Sequence, residues 1–151
     1  MIGVDIQQEF IDLGYELFKD KDTLQSEFIA ADIFNTETTN PLAKLDDRVD
    51  IIHASSFFHL FGWEDQKKIA RRVVKLLRAR KGSLLVGRQV GDENPGEKVR
   101  RSGTGSRYRH NADSWRTMWN EVGKEVGVDF EVKVTTRPMT VSILSSAGRW
   151  R

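Results

Sequence analysis

Two aspartates each fall at the end of a short apolar run: Asp5 closes Ile2 to Asp5, and Asp32 lies near the end of the EFIAADIF segment, Glu27 to Phe34. Open α/β sheets bind ligands outside the carboxyl ends of their strands, where a carboxylate can accept hydrogen bonds from ribose hydroxyls or an exocyclic amine. Asp is also a common cap, so each residue alone has a purely structural reading. As a pair on sequential strands they favour a nucleoside ligand. A third apolar run leads into HASSFFHLFGWEDQ, His53 to Gln66, which concentrates Phe57, Phe58, Phe61 and Trp63. That patch either seats the next helix or faces a ligand. His53, inside the run, is expected to be a satisfied core histidine, whereas His59, just beyond it, is placed to face a ligand. Ser55 and Ser56 lack the G-x-S-x-G turn of a nucleophilic serine, and no His and acid share metal-ligand spacing. With no cysteine in the chain, thiolate zinc sites, disulfides and cysteine nucleophiles are excluded.

The elements that must position these residues follow from periodicity. Strands are expected at Ile2 to Asp5, Glu27 to Phe34, Val49 to Ser55 (short and β-branched enough to be buried), Ser83 to Gln89, Phe130 to Thr135 and Thr140 to Ser145. Helices are expected at Gln7 to Lys19, with Phe10, Leu13, Tyr15, Leu17 and Phe18 at helical spacing, and at Glu64 to Arg80, with Ile69, Val73, Leu76 and Leu77 in one stripe and Gly82 as its stop. A third runs from Asn111 to Val126, capped by Asn111 or Asp113, with Trp115, Met118, Trp119 and Val122 on one face. Asn35 to Asp47 reads as loop, and Val90 to Arg109, glycine-rich and basic, as a mobile loop or lid. This order predicts one α/β domain, a mostly parallel sheet with helices on both faces. Its last two strands, split only by Arg137-Pro138, must form an antiparallel hairpin, since a parallel pair needs a crossover of about a dozen residues.

The chain has 151 residues and a net charge of +2, which hides an asymmetry. Residues 1–66 carry 14 acids against 4 bases, net −10, while residues 67–151 carry 8 acids against 20 bases, net +12. Such polarity serves an anion-binding face, a nucleic-acid surface or mutual attraction between halves. Nucleic-acid binding is the weakest of these, because the bases lie on a helix face and a loop without an aromatic platform or reader motif. No apolar run approaches the roughly 20 residues of a membrane span, and no basic stretch leads into a signal-like segment. A cytoplasmic location is expected.

The runs GVDI, AADIF, DIIHASSFFHLFGWEDQ, SLLVGRQVG and RYRHNADSWRTMWNEVG, in this order, resemble the C-terminal portion of fungal class I S-adenosylmethionine (SAM) dependent methyltransferases of meroterpenoid and polyketide gene clusters. The resemblance implies a Rossmann-like sheet and SAM as cofactor. It implies ribose binding by Asp5 with Ile6 beside the adenosine, adenine binding at Asp32 with Ile33 against the ring, and Ser55 facing the methyl donor. It also places His110-Asn111 near the acceptor pocket. Methyl transfer is an in-line displacement that chiefly needs alignment and a dry pocket. A carboxylate acceptor needs no base, whereas a phenol or carbon acceptor benefits from one, and His59 and His110 are the catalytic candidates. The Arg-rich loop either pairs with an acidic acceptor or is a solvated lid.

The family opens with a strand and a glycine-rich loop against the methionine half of SAM, and no such motif is present here. In the family's strand order, 3-2-1-4-5-7-6, the missing strand is central, so the chain is expected to be N-terminally truncated, with unpaired edges at Ile2 to Asp5 and Val49 to Ser55. Those edges are expected either to pair directly with each other or to pair across a homodimer. The expected function is O-methylation of a small-molecule acceptor at a carboxyl or hydroxyl. The alternative is a pseudoenzyme, acting as isomerase or cyclase, or as a subunit without transferase activity.

Overall fold

The computed structural model describes residues 1–99 and 105–138. Its centre is a pair of helices labelled here α2 (Trp63–Leu76) and α3 (Ala112–Val126). On α2 the expected stripe is real: Ile69, Val73 and Leu76 are buried, and Ala70 joins them. They meet Met118, Trp119 and Val122 of α3 and the ring of Phe58 in one apolar cluster. Outside this contact, Lys67 of α2 bridges Glu121 and Glu125 of α3, and Arg71 also reaches Glu125. The α3 start is a capping box in which Asn111 Oδ1 accepts from Ser114 N and Ser114 Oγ accepts from Asn111 N. It ends on Gly127 at φ 71°, a left-handed cap that favours glycine.

Helix α2 stops at Leu76, four residues before the expected end, and the cause is tertiary. The N–H groups of Asp47, Arg48 and Val49 take the carbonyls of Lys75 and Leu76, and Leu77 forms a parallel bridge with Val49. Its last carbonyls are thus satisfied by a distant loop rather than by a further turn. Gly82 is therefore not the helix stop; at φ 95° it forms the turn into the next strand. At the other end the N-cap is Gly62, which has no side chain to cap with, and Glu97 accepts from Trp63 N at 3.0 Å in its place.

Three strand pairs surround these helices. The strands β1 (Ile2–Asp5) and β2 (Glu27–Ala30) pair in parallel, joined by α1 (Gln8–Phe18). A second parallel pair consists of β3 (Ile51–His53) and β4 (Leu84–Val86), connected through α2. The third pair is antiparallel, β5 (Gly96–Val99) with β6 (Ser106–Arg109), and lies within the segment expected to be a loop. It forms because the protein gives it partners: Tyr108 N donates to the Phe61 carbonyl, and Gln66 donates to the Tyr108 carbonyl. The segment 35–47 is mostly loop, as expected, with one 3-10 turn at Pro41–Leu45.

Other expectations are corrected. Residues 130–135 make no ladder; Phe130 instead packs on Trp119 at 5.3 Å between ring centroids. The partner strand expected at Thr140 to Ser145 lies outside the described residues. On α1, Ile11 is buried and Tyr15 is half-buried against Phe28, but Phe10, Leu13, Leu17 and Phe18 are 58–72% exposed. Likewise β3 is buried on one face only, where Ile52 touches the core, while Ile51 and His53 are exposed. The two parallel pairs do not join: among the described residues, the edges of β1 and β3 away from their partners carry no strand. No described helix is long and apolar enough to cross a membrane.

Met118 is fully buried between α2 and α3, so Met118→Ala should cost about 2–5 kcal/mol of unfolding free energy in urea denaturation. A cost near zero would show that the α2–α3 contact is not the stabilising centre.

Candidate functional site

The carboxyl ends of β1 and β2 carry the same local device twice. Asp5 Oδ1 accepts from Gln7 N at 2.8 Å, and Asp32 Oδ1 accepts from Phe34 N at 2.9 Å. Each aspartate closes an Asx turn two residues long, which fixes its carboxyl group just beyond the strand. The second oxygen of each has no partner among the described residues. Both the capping and the ligand-binding readings of the sequence are therefore compatible with one geometry. Each acid is followed by an isoleucine: Ile6 is exposed, and Ile33 is half-buried against the core. Because Asp5 pairs in register with Ala30, the two turns stand side by side.

Past β3 the chain makes a tight bend. Ser56 sits at φ 55°, unusual for a residue with a side chain, and is held by its N–H on the Arg88 carbonyl at 2.7 Å. A Cβ at Gly87 would run into the Ala54 carbonyl, so glycine is required where β4 passes this bend. Strained backbone of this kind clusters at binding sites, and the sequence carried no signal for Ser56. Ser55 is exposed, with Oγ 2.9 Å from Nε2 of His53. His53 is thus not a core residue: its face of β3 is uncovered, and its partner is the neighbouring serine.

The aromatic segment divides its duties. Phe58 is buried in the core, while Phe61 forms edge contacts with Phe57 and with Phe34 of the Asp32 turn. This ties the β2 end to the β3 end. Trp63, Tyr108, His110 and Trp115 form a second group through edge-on and tilted ring contacts.

His110 is buried there, with Nδ1 at 3.0 Å from Ser114 Oγ and Nε2 at 3.2 Å from Gln66 Oε1. Gln66 is itself fully buried, and its amide nitrogen donates to the carbonyls of Phe61 and Tyr108. Its Oε1 is therefore the acceptor, which puts the His110 proton on Nε2. Burial pushes the His110 pKa down to about 4, partly offset by Ser114. With both nitrogens engaged inside the protein, the catalytic role expected of His110 does not fit; it locks three elements together.

His59 is also buried, and its Nδ1 accepts from Val90 N at 3.4 Å. The neutral ring then carries its proton on Nε2. Burial first, then the charges of Arg109 and Arg107, hold its pKa below the usual histidine value.

A groove of about 490 Å³ runs between the Ile33 loop and the outer side of α2. Its cations are already paired: Lys68 with Asp65, Arg71 with Glu125, and Arg72 and Lys75 with Asp46.

Comparison with known proteins places this geometry in context. No family model matches the chain. It is 51% identical over 134 residues to O-methyltransferase phiE of a fungal species, covering 89% of this chain and 44% of that protein. It is 34% identical over 139 residues to methyltransferase ausD of Penicillium brasilianum, covering 91% and 50%. The asnovolin E/chermesin D methyltransferase nvfJ of Aspergillus novofumigatus is 32% identical over 133 residues, covering 88% and 48%. The motif resemblance to fungal methyltransferases is borne out, and the chain spans about half the length of these curated relatives.

The buried histidines set a pH dependence. A histidine whose folded pKa lies below its unfolded value binds fewer protons in the native state, so stability rises with pH across that window. For His110 the contribution is full above about pH 6.5 and is lost as pH falls toward about 4. Thermal unfolding should show a melting temperature that drops across this range, and His110→Phe, though less stable at pH 7, should flatten the drop. An unchanged slope in that variant would refute the buried, neutral assignment.

Proposed function

We propose that this chain is part of a SAM-dependent methyltransferase that methylates a carboxyl or hydroxyl oxygen of a small secondary metabolite, of meroterpenoid or polyketide type. The observation that carries this reading is the pair of Asx turns at adjacent parallel strand ends, each offering a free carboxylate oxygen beside an isoleucine, in a chain similar to fungal methyltransferases. On this reading the two parallel pairs are portions of one Rossmann-like methyltransferase sheet, in the order β2, β1, a space, β3, β4. Residues 1–151 act as one domain.

These residues fit the nucleoside half of SAM. Asp5 would accept from the ribose hydroxyls, Asp32 from the adenine side, and Ile6 and Ile33 would give apolar contact. Ser55, at the bend after β3, would lie toward the methyl donor. When bound, SAM supplies an electrophilic methyl group on a sulfonium. The protein's own part is to align the acceptor and exclude water. His59, with Nδ1 occupied by Val90, presents Nε2–H to an acceptor oxygen as a donor rather than as a base.

The uncovered edges of β1 and β3, the bare apolar side of α1 and the opposed charges of the two halves support pairing with a second copy. Sedimentation at low micromolar concentration should show a species larger than the 17.3 kDa monomer that dissociates in Val4→Lys. A strictly monomeric wild-type chain would remove the dimer from the proposal.

Calorimetry tests the cofactor reading directly. Asp5→Ala should weaken binding of SAM or its demethylated product by roughly 1.5–3 kcal/mol, the range for hydrogen bonds to a charged group. An unchanged Kd in a folded variant would leave Asp5 as a turn cap alone.

A further inference from the structure

The antiparallel ribbon β5–β6 has two chemically different faces. Strand side chains alternate, and the register pairs Glu97 with Tyr108, Lys98 with Arg107 and Gly96 with Arg109. The face carrying Glu97 and Tyr108 packs on the start of α2. The other face holds Lys98, Arg107 and Arg109, so two cations stand directly opposite each other and a third is two residues away. Like charges in this arrangement oppose strand pairing.

Among the described residues one acid answers the three: Asp92 pairs with Lys98 at 3.0 Å, and its charge also acts on Arg109. Neither Arg107 nor Arg109 has an ion-pair partner among the described residues, unlike the cations of the α2 groove. Arg107 Nε is enclosed and has no hydrogen-bond partner among the described residues, as is also true of Arg71 Nη1 and Arg72 Nε on α2. Arg109 Nη1 donates to the Val90 carbonyl at 3.2 Å, and His59 Nδ1 accepts from the N–H of the same residue. Val90 follows β4, and His59 follows β3, so the cluster stands at the carboxyl ends of two parallel strands. What it can offer a ligand is donors only: two guanidinium groups and an imidazole N–H.

We propose that Arg107 and Arg109, with His59 beside them, form an oxyanion-binding site that receives the carboxylate or phenolate group of a small organic acid. Guanidinium groups match such groups with paired hydrogen bonds. In the proposed methyl transfer this ligand is the acceptor, and that role rests on the methyl-transfer reading; the site itself does not.

The test is a titration of the full chain with benzoate, inorganic phosphate and chloride at matched ionic strength, read by NMR of the arginine Nε–Hε signals. Saturable shifts with benzoate are expected, weakened about tenfold or more in Arg107→Gln and in Arg109→Gln and unchanged in the surface control Lys81→Gln. Arg107→Lys, which keeps the charge but loses the planar fork, should recover only part of the affinity, and circular dichroism checks that each variant folds. Equal response to chloride, preference for phosphate over benzoate, or full affinity in folded Arg107→Gln would overturn the site. Calorimetry with the demethylated product of SAM runs alongside. Benzoate binding without nucleoside binding keeps the site and removes the acceptor role, whereas nucleoside binding without benzoate binding keeps methyl transfer and refutes the site.

Discussion

A fully buried amide, Gln66, imposes the constraint on which the candidate site depends. A polar side chain removed from water must find partners for all its groups or destabilise the fold by several kcal/mol. Gln66 meets this by donating to the carbonyls of Phe61 and Tyr108 and accepting from His110. Those three residues belong to the bend after β3, to the ribbon and to the approach to α3. One side chain on the first turn of α2 therefore sets where three otherwise separate segments meet. Glu97 reinforces the arrangement from the ribbon by taking the free Trp63 N–H at the helix start, where the helix dipole also favours a negative charge.

With the ribbon held there, its two faces acquire different fates. The side toward α2 is aromatic and enclosed, so the His110 ring loses solvent and stays neutral. The side away from it gathers Lys98, which pairs with Asp92, and Arg107 and Arg109, which have no ion-pair partner among the described residues. His59 is the hinge between these environments, buried like His110 but under the influence of two guanidinium charges. The two histidines that sequence reasoning treated alike are separated by this division: one braces the fold, and the other feels the charges of Arg109 and Arg107.

The other half of the molecule is organised by the Asx turns of Asp5 and Asp32 and joined to the first by aromatic edge contacts through Phe34 and Phe61. Its apolar surface is poorly covered. Phe10, Leu13, Leu17 and Phe18 on α1, and Ile2 and Val4 on β1, remain exposed to an extent rarely seen on a solitary soluble domain. The same half carries the edge of β1 that pairs with no strand among the described residues.

Local sequence determined the elements whose stability is local or strongly periodic. The stripe of Ile69, Val73 and Leu76, the Asn111 cap and the Met118–Trp119–Val122 face all stand where spacing put them, because helical periodicity and capping act within a few residues. The strand-end aspartates were legible for the same reason, since an Asx turn needs only its own backbone. Tertiary structure decided whatever depended on a partner distant in the chain. The early end of α2 was set by the loop at Asp47 to Val49, the ribbon by Phe61 and Gln66, and the exposure of α1 and of His53 by surfaces that receive no cover. A residue's type and spacing state which groups it must satisfy, but only the folded chain brings a distant donor, acceptor or apolar face to within reach of it.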